Sequence, residues 1–189
     1  VRSAVLTSVF GYTLAAVAIF IDIGRYWNSY NLFLPWQVNF NSVLVEVALC
    51  IAAYVGVLWL ELAPALLEGQ PPESRLWYWR RKLLKALPVI VALGVLLPTM
   101  HQSSLGTLMV IAGQKLSPLW QTPWLPLFFL MTALAMGYAV TVFESLFSSL
   151  AFGRPLETAL LGKIGRVLAW LVGVYLILRF ADLIYRGSL

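Results

Sequence analysis

The sequence predicts an all-α fold, a polytopic transmembrane helical bundle with about five membrane-spanning helices. Three observations carry this. The 189 residues are 61% hydrophobic and only 11% charged, where a soluble domain carries about 25% charge. Mean hydropathy is +0.85, and several apolar runs reach the roughly 20 residues that cross about 30 Å of hydrocarbon. The 8 tryptophans and 8 tyrosines gather near the run ends, as interfacial anchors do. A soluble bundle of all-apolar helices is the competing reading, and this composition disfavours it.

The first helix is expected over 3–23. Its Thr7, Gly11, Ala15, Ala18 and Asp22 recur at three- and four-residue steps, a small-residue stripe suited to close packing in lipid. An aromatic and asparagine-rich loop follows, broken by Pro35. The second helix is expected over 41–66, with Glu46, Cys50, Tyr54, Val57 and Glu61 on one broad face. Its two glutamates stand about 22 Å apart at 1.5 Å per residue, so they approach opposite membrane edges. Pro64 fits a terminating turn. The linker 68–85 is the most charged segment. Its WYWRRK run, Trp77–Lys82, has the composition of a membrane interface. Plain anchoring and topology are preferred there to an anionic-lipid site.

The third helix, expected over 86–113, contains a polar knot, LPTMHQSSLGTLM at Leu97–Met109, with the only histidine, His101. Polar groups inside an apolar helix cost free energy unless they face protein, water or a ligand. Pro98 removes a helical hydrogen bond and is expected to kink the helix near midspan. Gly106 leaves room for a close neighbour. The fourth helix is expected over 124–150, with Gly137, Thr141, Glu144 and Ser148 on a face. The fifth, over 165–184, carries Arg179 and Asp182 three residues apart, as a local structural pair.

Five crossings place Arg2, Arg75, Arg80, Arg81, Lys82, Lys85, Arg154, Lys163 and Arg166 on one side, and Arg25, Lys115, Arg179 and Arg186 on the other: nine of the 13 basic residues against four. The positive-inside rule makes the first side cytoplasmic. Asp22, Glu46 and Asp182 then approach the outer face, Glu61 and Glu144 the inner face, and His101 lies between midplane and outer face. This placement reads the +5 net charge as a topology signal, with no nucleic acid as partner. There is no convincing internal repeat. The chain opens on Val1 with a hydrophobic helix and closes just after another, which suggests a piece of a longer polytopic protein.

The chemistry narrows by elimination. A bis-histidine membrane haem needs two axial imidazoles and the chain has one, so a methionine or another chain would have to supply the second ligand. Iron–sulfur ligation needs several cysteines and only Cys50 exists. No Cys/His set suits zinc, and no glycine loop cradles phosphate. The expectation is therefore no bound cofactor or metal, with a quinone as exchangeable substrate. Quinone reduction takes two protons with two electrons. An imidazole titrates near neutral pH and can give a proton to a carbonyl or take one from a hydroxyl, and a carboxylate can relay it. His101, Asp22 and Glu46 are the catalytic candidates. Gln102, Ser103, Ser104 and Asn41 are candidates to orient the ring or hold water. Glu61 and Glu144 are candidates for an inward proton route. A packing hydrogen bond for His101, capping or pairing with Arg25 for Asp22, and snorkelling or loop pairing by Glu61 and Glu144 are the plainer readings.

These residues carry a resemblance. The stretches IDIGRYWN (21–28), FNSVLVEVALC (40–50), LELAPALLE (60–68), LLPTMHQSSLGTLM (96–109), SPLWQ (117–121) and LRFADLIYRG (178–187) resemble the NrfD/PsrC-type membrane subunits of redox complexes. Within them the chain looks most like the HybB-type branch that serves hydrogenase-2 type nickel–iron hydrogenases. The resemblance implies a protein of eight to ten membrane helices, of which this chain covers five. It implies a haem-free, quinone-reactive anchor in the inner membrane of a bacterium or archaeon, not a catalyst alone. An iron–sulfur ferredoxin-like subunit on the periplasmic face would pass electrons between the hydrogenase subunits and menaquinone. It also places the His101 helix and the Asp22 helix end at the quinone pocket and its proton route. Coupling to proton translocation stays open, with the cytoplasmic route through Glu61 and Glu144 weakly preferred. Two alternatives remain: a structural anchor without its own quinone site, and a secondary transporter, which would carry inverted repeats with matched helix breaks.

Overall fold

A computed structural model describes residues 2–153 and 155–187. Arg154, counted above as an inner-face charge, lies outside the described residues, and so does the side chain of Arg2. The helices are α1 (Arg2–Asp22), α2 (Val43–Leu66), α3 (Arg75–Ile111), α4 (Leu125–Phe152) and α5 (Thr158–Tyr185), with short 3-10 helices at Tyr26–Phe33 and Gly113–Lys115. There is no strand among the described residues. All five helices are long and apolar enough to cross a membrane. The fold is the all-α polytopic bundle that composition predicts.

The boundaries depart from expectation in informative places. The third helix starts at Arg75, eleven residues before the expected Ala86, and runs for 37 residues. Lysine, arginine and leucine are good helix formers, and Ser74 supplies the start: its Oγ accepts the backbone N–H of Trp77 at 3.1 Å, the hydrogen bond of an N-cap. The basic segment is therefore helix rather than linker from Arg75 onward. Pro98 does not interrupt α3, nor does Pro88. Proline removes one N–H, so it leaves the Gly94 carbonyl without its usual helical donor. Pro64 lies inside α2, two residues before its end at Leu66. The fifth helix begins at Thr158, not Gly165, and passes through Gly162 and Gly165. Gly153, at φ 60°, ends α4 in the left-handed conformation.

The chain divides into two compact units, Val1–His101 and Gln102–Leu189. In the first, α1 packs on α2. Their contact is built on Val9, Tyr54, Leu58 and Leu62, with Val5, Tyr12, Ala65 and Leu97 against them. Tyr12 meets Tyr54 edge-to-face at 4.5 Å, and Trp59 Nε1 donates to Thr13 Oγ1 at 3.2 Å. In the second unit α4 packs on α5, with Phe128 and Tyr175 edge-to-face at 5.7 Å. Gly106 of α3 abuts the start of α4. A Cβ there would overlap the Pro126 backbone, 2.7 Å from its nitrogen and 2.8 Å from the Leu125 carbonyl oxygen, so this glycine does make room for a close neighbour. Large apolar side chains such as Leu150 and Ile177 stay exposed, as suits surfaces in contact with hydrocarbon or further helices.

Candidate functional site

The polar knot of α3 resolves into two kinds of residue. Its two threonine hydroxyls turn back on their own helix: Thr99 Oγ1 donates to the Leu96 carbonyl at 2.7 Å, and Thr107 Oγ1 to the Ser103 carbonyl at 3.2 Å. That local hydrogen bond removes most of the cost of a hydroxyl in an apolar span. An imidazole has two nitrogens to satisfy. His101 is 4% exposed, so whatever it bonds must come from packed neighbours.

Those neighbours are two tyrosines. The Tyr12 hydroxyl lies 3.5 Å from His101 Nε2, with the rings 6.1 Å apart. The Tyr54 ring stands 6.4 Å from the imidazole. The three side chains come from α1, α2 and α3 and close on one another within the first unit. On the far side of the ring, Nδ1 is buried without a hydrogen-bond partner. The imidazole thus has one nitrogen facing a phenol and one unsatisfied. If Nδ1 carries the proton, Nε2 accepts from the Tyr12 O–H; in the other tautomer Nε2–H donates to it. Such a pair can take up or release a proton with little movement.

The face of α2 that carries Tyr54 extends in both directions. Toward the helix start lie Cys50, buried, and Glu46 in the first turn. Toward its end lies Glu61, which approaches Gly94 of α3 and forms no ion pair among the described residues. Seven residues separate Tyr54 from Glu61, about 10 Å of helix. Glu46 is engaged in an interaction and lies about 12 Å along the helix from Tyr54. Asp22 is exposed at the end of α1, ten residues and about 15 Å from Tyr12. It makes no ion pair with Arg25 among the described residues.

Asn41 is exposed, and its backbone N–H donates to Asn39 Oδ1 at 3.0 Å. Nearby, Ile23, Asn28, Asn31, Gln37, Asn39 and Val45 line part of an open pocket of about 280 Å³. Asn31 Oδ1 is buried there without a partner. Asp22, Glu46 and Asn41 therefore gather toward one end of the first unit, and the structure does not bring them to the imidazole. In the second unit, Gln102 and Ser103 are half-buried, while Ser104 is 7% exposed and engaged. Glu144 is half-buried on α4 and also engaged. Tyr12 is the residue that sequence reasoning missed. The available signal is its position, a tyrosine in the middle of an apolar run rather than at its edge.

The expected Arg179–Asp182 pair forms at 3.3 Å, and it is part of something larger. Arg186 Nη2 donates to the same carboxylate at 2.8 Å, and Thr122 Oγ1 donates to Asp182 Oδ1 at 2.9 Å. Arg179 also donates to the Leu119 carbonyl, and its guanidinium lies 4.9 Å from the Trp120 ring centre. Arg186 donates to the carbonyls of Pro118 and Gln121. The loop 117–122 is thereby fastened to the end of α5.

Fold and site together define an integral, multi-pass membrane protein with a buried imidazole–phenol pair. The chain belongs to the NrfD family: the family model described as polysulphide reductase, NrfD, matches residues 1–185. It is 45% identical over 192 aligned residues to the probable Ni/Fe-hydrogenase 2 b-type cytochrome subunit of Escherichia coli (strain K12), covering all of this chain and 48% of that one. It is 28% identical over 198 residues to the menaquinone reductase integral membrane subunit of Nitratidesulfovibrio vulgaris, covering 96% of this chain and 45% of that one. The chain thus spans about half the length of these relatives. No solved structure matches it significantly.

The first relative's name includes a b-type cytochrome, and the residues here do not fit its haem. The chain has one histidine, whose Nε2 faces the Tyr12 hydroxyl, and no second imidazole is available. Among the described residues no group of three His, Cys, Asp or Glu side chains is placed to hold a metal ion.

Proposed function

We propose that this chain is the quinone-reactive part of a membrane electron-transfer subunit. In this reading a periplasmic iron–sulfur subunit of a nickel–iron hydrogenase complex delivers electrons, and menaquinone accepts them in the membrane. The observation that carries it is the buried His101 imidazole with Tyr12 at Nε2, in a helix otherwise suited to lipid. Reduction of a quinone adds two electrons to the ring and one proton to each oxygen, giving the quinol. The electrons come from the iron–sulfur partner. Tyr12, half-buried where His101 is fully buried, gives one proton to a quinone oxygen, and the imidazole behind it replaces that proton. The second oxygen takes its proton from water, and both protons are restored by the route named below.

The names of the two relatives support the substrate class and the hydrogenase partner. The charge-derived topology supports the outward lean, since it sets His101, Asp22 and Glu46 toward the face where a periplasmic partner docks. In this proposal Asp22 and Glu46 are the alternative proton source at the outer surface, a route that would leave turnover electrically neutral. Gln102 and Ser104, beside His101 on α3, orient the ring or its bound water, and Asn41 holds water ahead of α2, near the outer surface. Glu61 and Glu144 supply protons from the cytoplasmic side, which makes turnover charge-moving. In this reading the chain itself binds no haem and no metal.

The test is replacement of His101 by alanine in the complete complex. Hydrogen-to-menaquinone activity falls by about a hundredfold or more, the range of a lost acid–base group, while assembly and hydrogen-dependent reduction of an artificial dye persist. Unchanged quinone turnover rejects His101 as a participant and leaves the chain a structural anchor.

A further inference from the structure

The start of α3 carries a basic and aromatic face outside the site just described. Helical geometry puts Arg75, Tyr78, Trp79, Lys82 and Lys85 within one arc of about 120°. Arg80 points elsewhere: its Nε donates to the Pro64 carbonyl at 3.2 Å, and Nη2 lies 4.0 Å from Glu68, tying α3 to the end of α2. Lys82, in the middle of the arc, is held on rings instead. Lys82 Nζ lies 4.7 Å from the centre of Tyr78 and 5.4 Å from Trp79. Beside the arc, Arg81 lies 5.5 Å from Trp77. Tyr78 and Trp79 are 53% and 49% exposed.

We propose that this face binds the headgroup of an anionic phospholipid in the cytoplasmic leaflet. The 37 residues of α3 make a helix about 55 Å long, well beyond about 30 Å of hydrocarbon. Its first turns therefore stand at headgroup level. There the ammonium and guanidinium groups meet phosphate, while exposed aromatic rings lie against glycerol and the upper acyl chain. Residues 68–85 hold five cations against two carboxylates, and one of these carboxylates, Glu68, is next to Arg80. The excess of positive charge selects anionic over zwitterionic headgroups. A free phosphate would have no use for the rings, so cations interleaved with interfacial aromatics point to lipid.

The experiment uses the complete membrane subunit in its complex, in nanodiscs of phosphatidylcholine with a minor fraction of photoactivatable phosphatidylglycerol. Crosslinks are expected on residues 75–85. Lys82→Gln weakens phosphatidylglycerol retention about fivefold, the loss of roughly one cation's contribution. Tyr78→Leu weakens it with the charge intact, and Lys115→Gln leaves it unchanged. The inference is overturned if crosslinks fall only on the other basic groove, around Lys163, Arg166 and Trp170. It is equally overturned if Lys82→Gln and Tyr78→Leu both retain the lipid like the parent, or if inorganic phosphate displaces it from the site.

Discussion

Glu61 of α2 lies against Gly94 of α3: a methyl group placed on Gly94 would stand 3.7 Å from Glu61 Oε2 and 3.9 Å from Val57 Cγ1. These are ordinary contact distances, so Gly94→Ala fits without displacing the carboxylate. A leucine does not, because its branch must occupy the volume of the Glu61 carboxylate. Under the proposed inward proton route, Gly94→Leu and Glu61→Gln both reduce charge moved per hydrogen oxidised in vesicles while electron transfer continues. Gly94→Ala behaves like the parent. Full charge movement in Glu61→Gln rejects the route.

Gly106 makes the opposite case. A Cβ there meets backbone, not a flexible side chain, so Gly106→Ala forces α3 and the start of α4 apart. Overpacking of this kind costs about 1–3 kcal/mol. A lower melting temperature of the purified complex, with normal activity in whatever fraction stays folded, is the expected outcome.

What the sequence disclosed follows from what is local. Five apolar runs, the burial of His101, the close approach at Gly106 and the Arg179–Asp182 pair each depend on composition or on spacing within one helix. The start of α3 was missed because charge reads as loop, although Ser74 offered a cap three residues before Trp77. Tyr12, Arg186 and Thr122 were missed for a different reason. Periodicity gives the face of a helix but not its register against a neighbour, and register decides which hydroxyl meets the imidazole or which loop carbonyl meets a guanidinium. The same gap explains why Asp22 and Glu46, grouped with His101 by chemistry, lie more than two turns away along their helices, and why Asn41 lies ahead of α2 altogether.

Asp182 holds two guanidinium groups and a threonine hydroxyl with its side chain only 7% exposed. Removing the carboxylate strands two partly buried cations. Asp182→Ala is expected to destabilise the second unit by about 3–5 kcal/mol, the usual consequence of breaking a buried pair on one side. Because Arg179 and Arg186 also hold the carbonyls of the loop 117–122, limited trypsin digestion at Lys115 should accelerate. Digestion as slow as in the parent contradicts this role for the network.

The imidazole–phenol pair gives the sharpest prediction, because it separates chemistry from packing. Tyr12→Phe keeps the ring that packs edge-to-face on Tyr54 and removes only the hydroxyl beside His101 Nε2. His101→Gln keeps a polar side chain in the buried space. If the two groups act as one proton-handling unit, each single variant loses most of the hydrogen-to-menaquinone rate, and the double variant loses little more, as residues acting together are strongly non-additive. If His101 only packs, Tyr12→Phe is nearly silent in quinone turnover and the effects on stability simply add. The cycle needs four proteins, menaquinone-dependent rates and melting temperatures, with dye reduction confirming in each that the hydrogenase itself is intact.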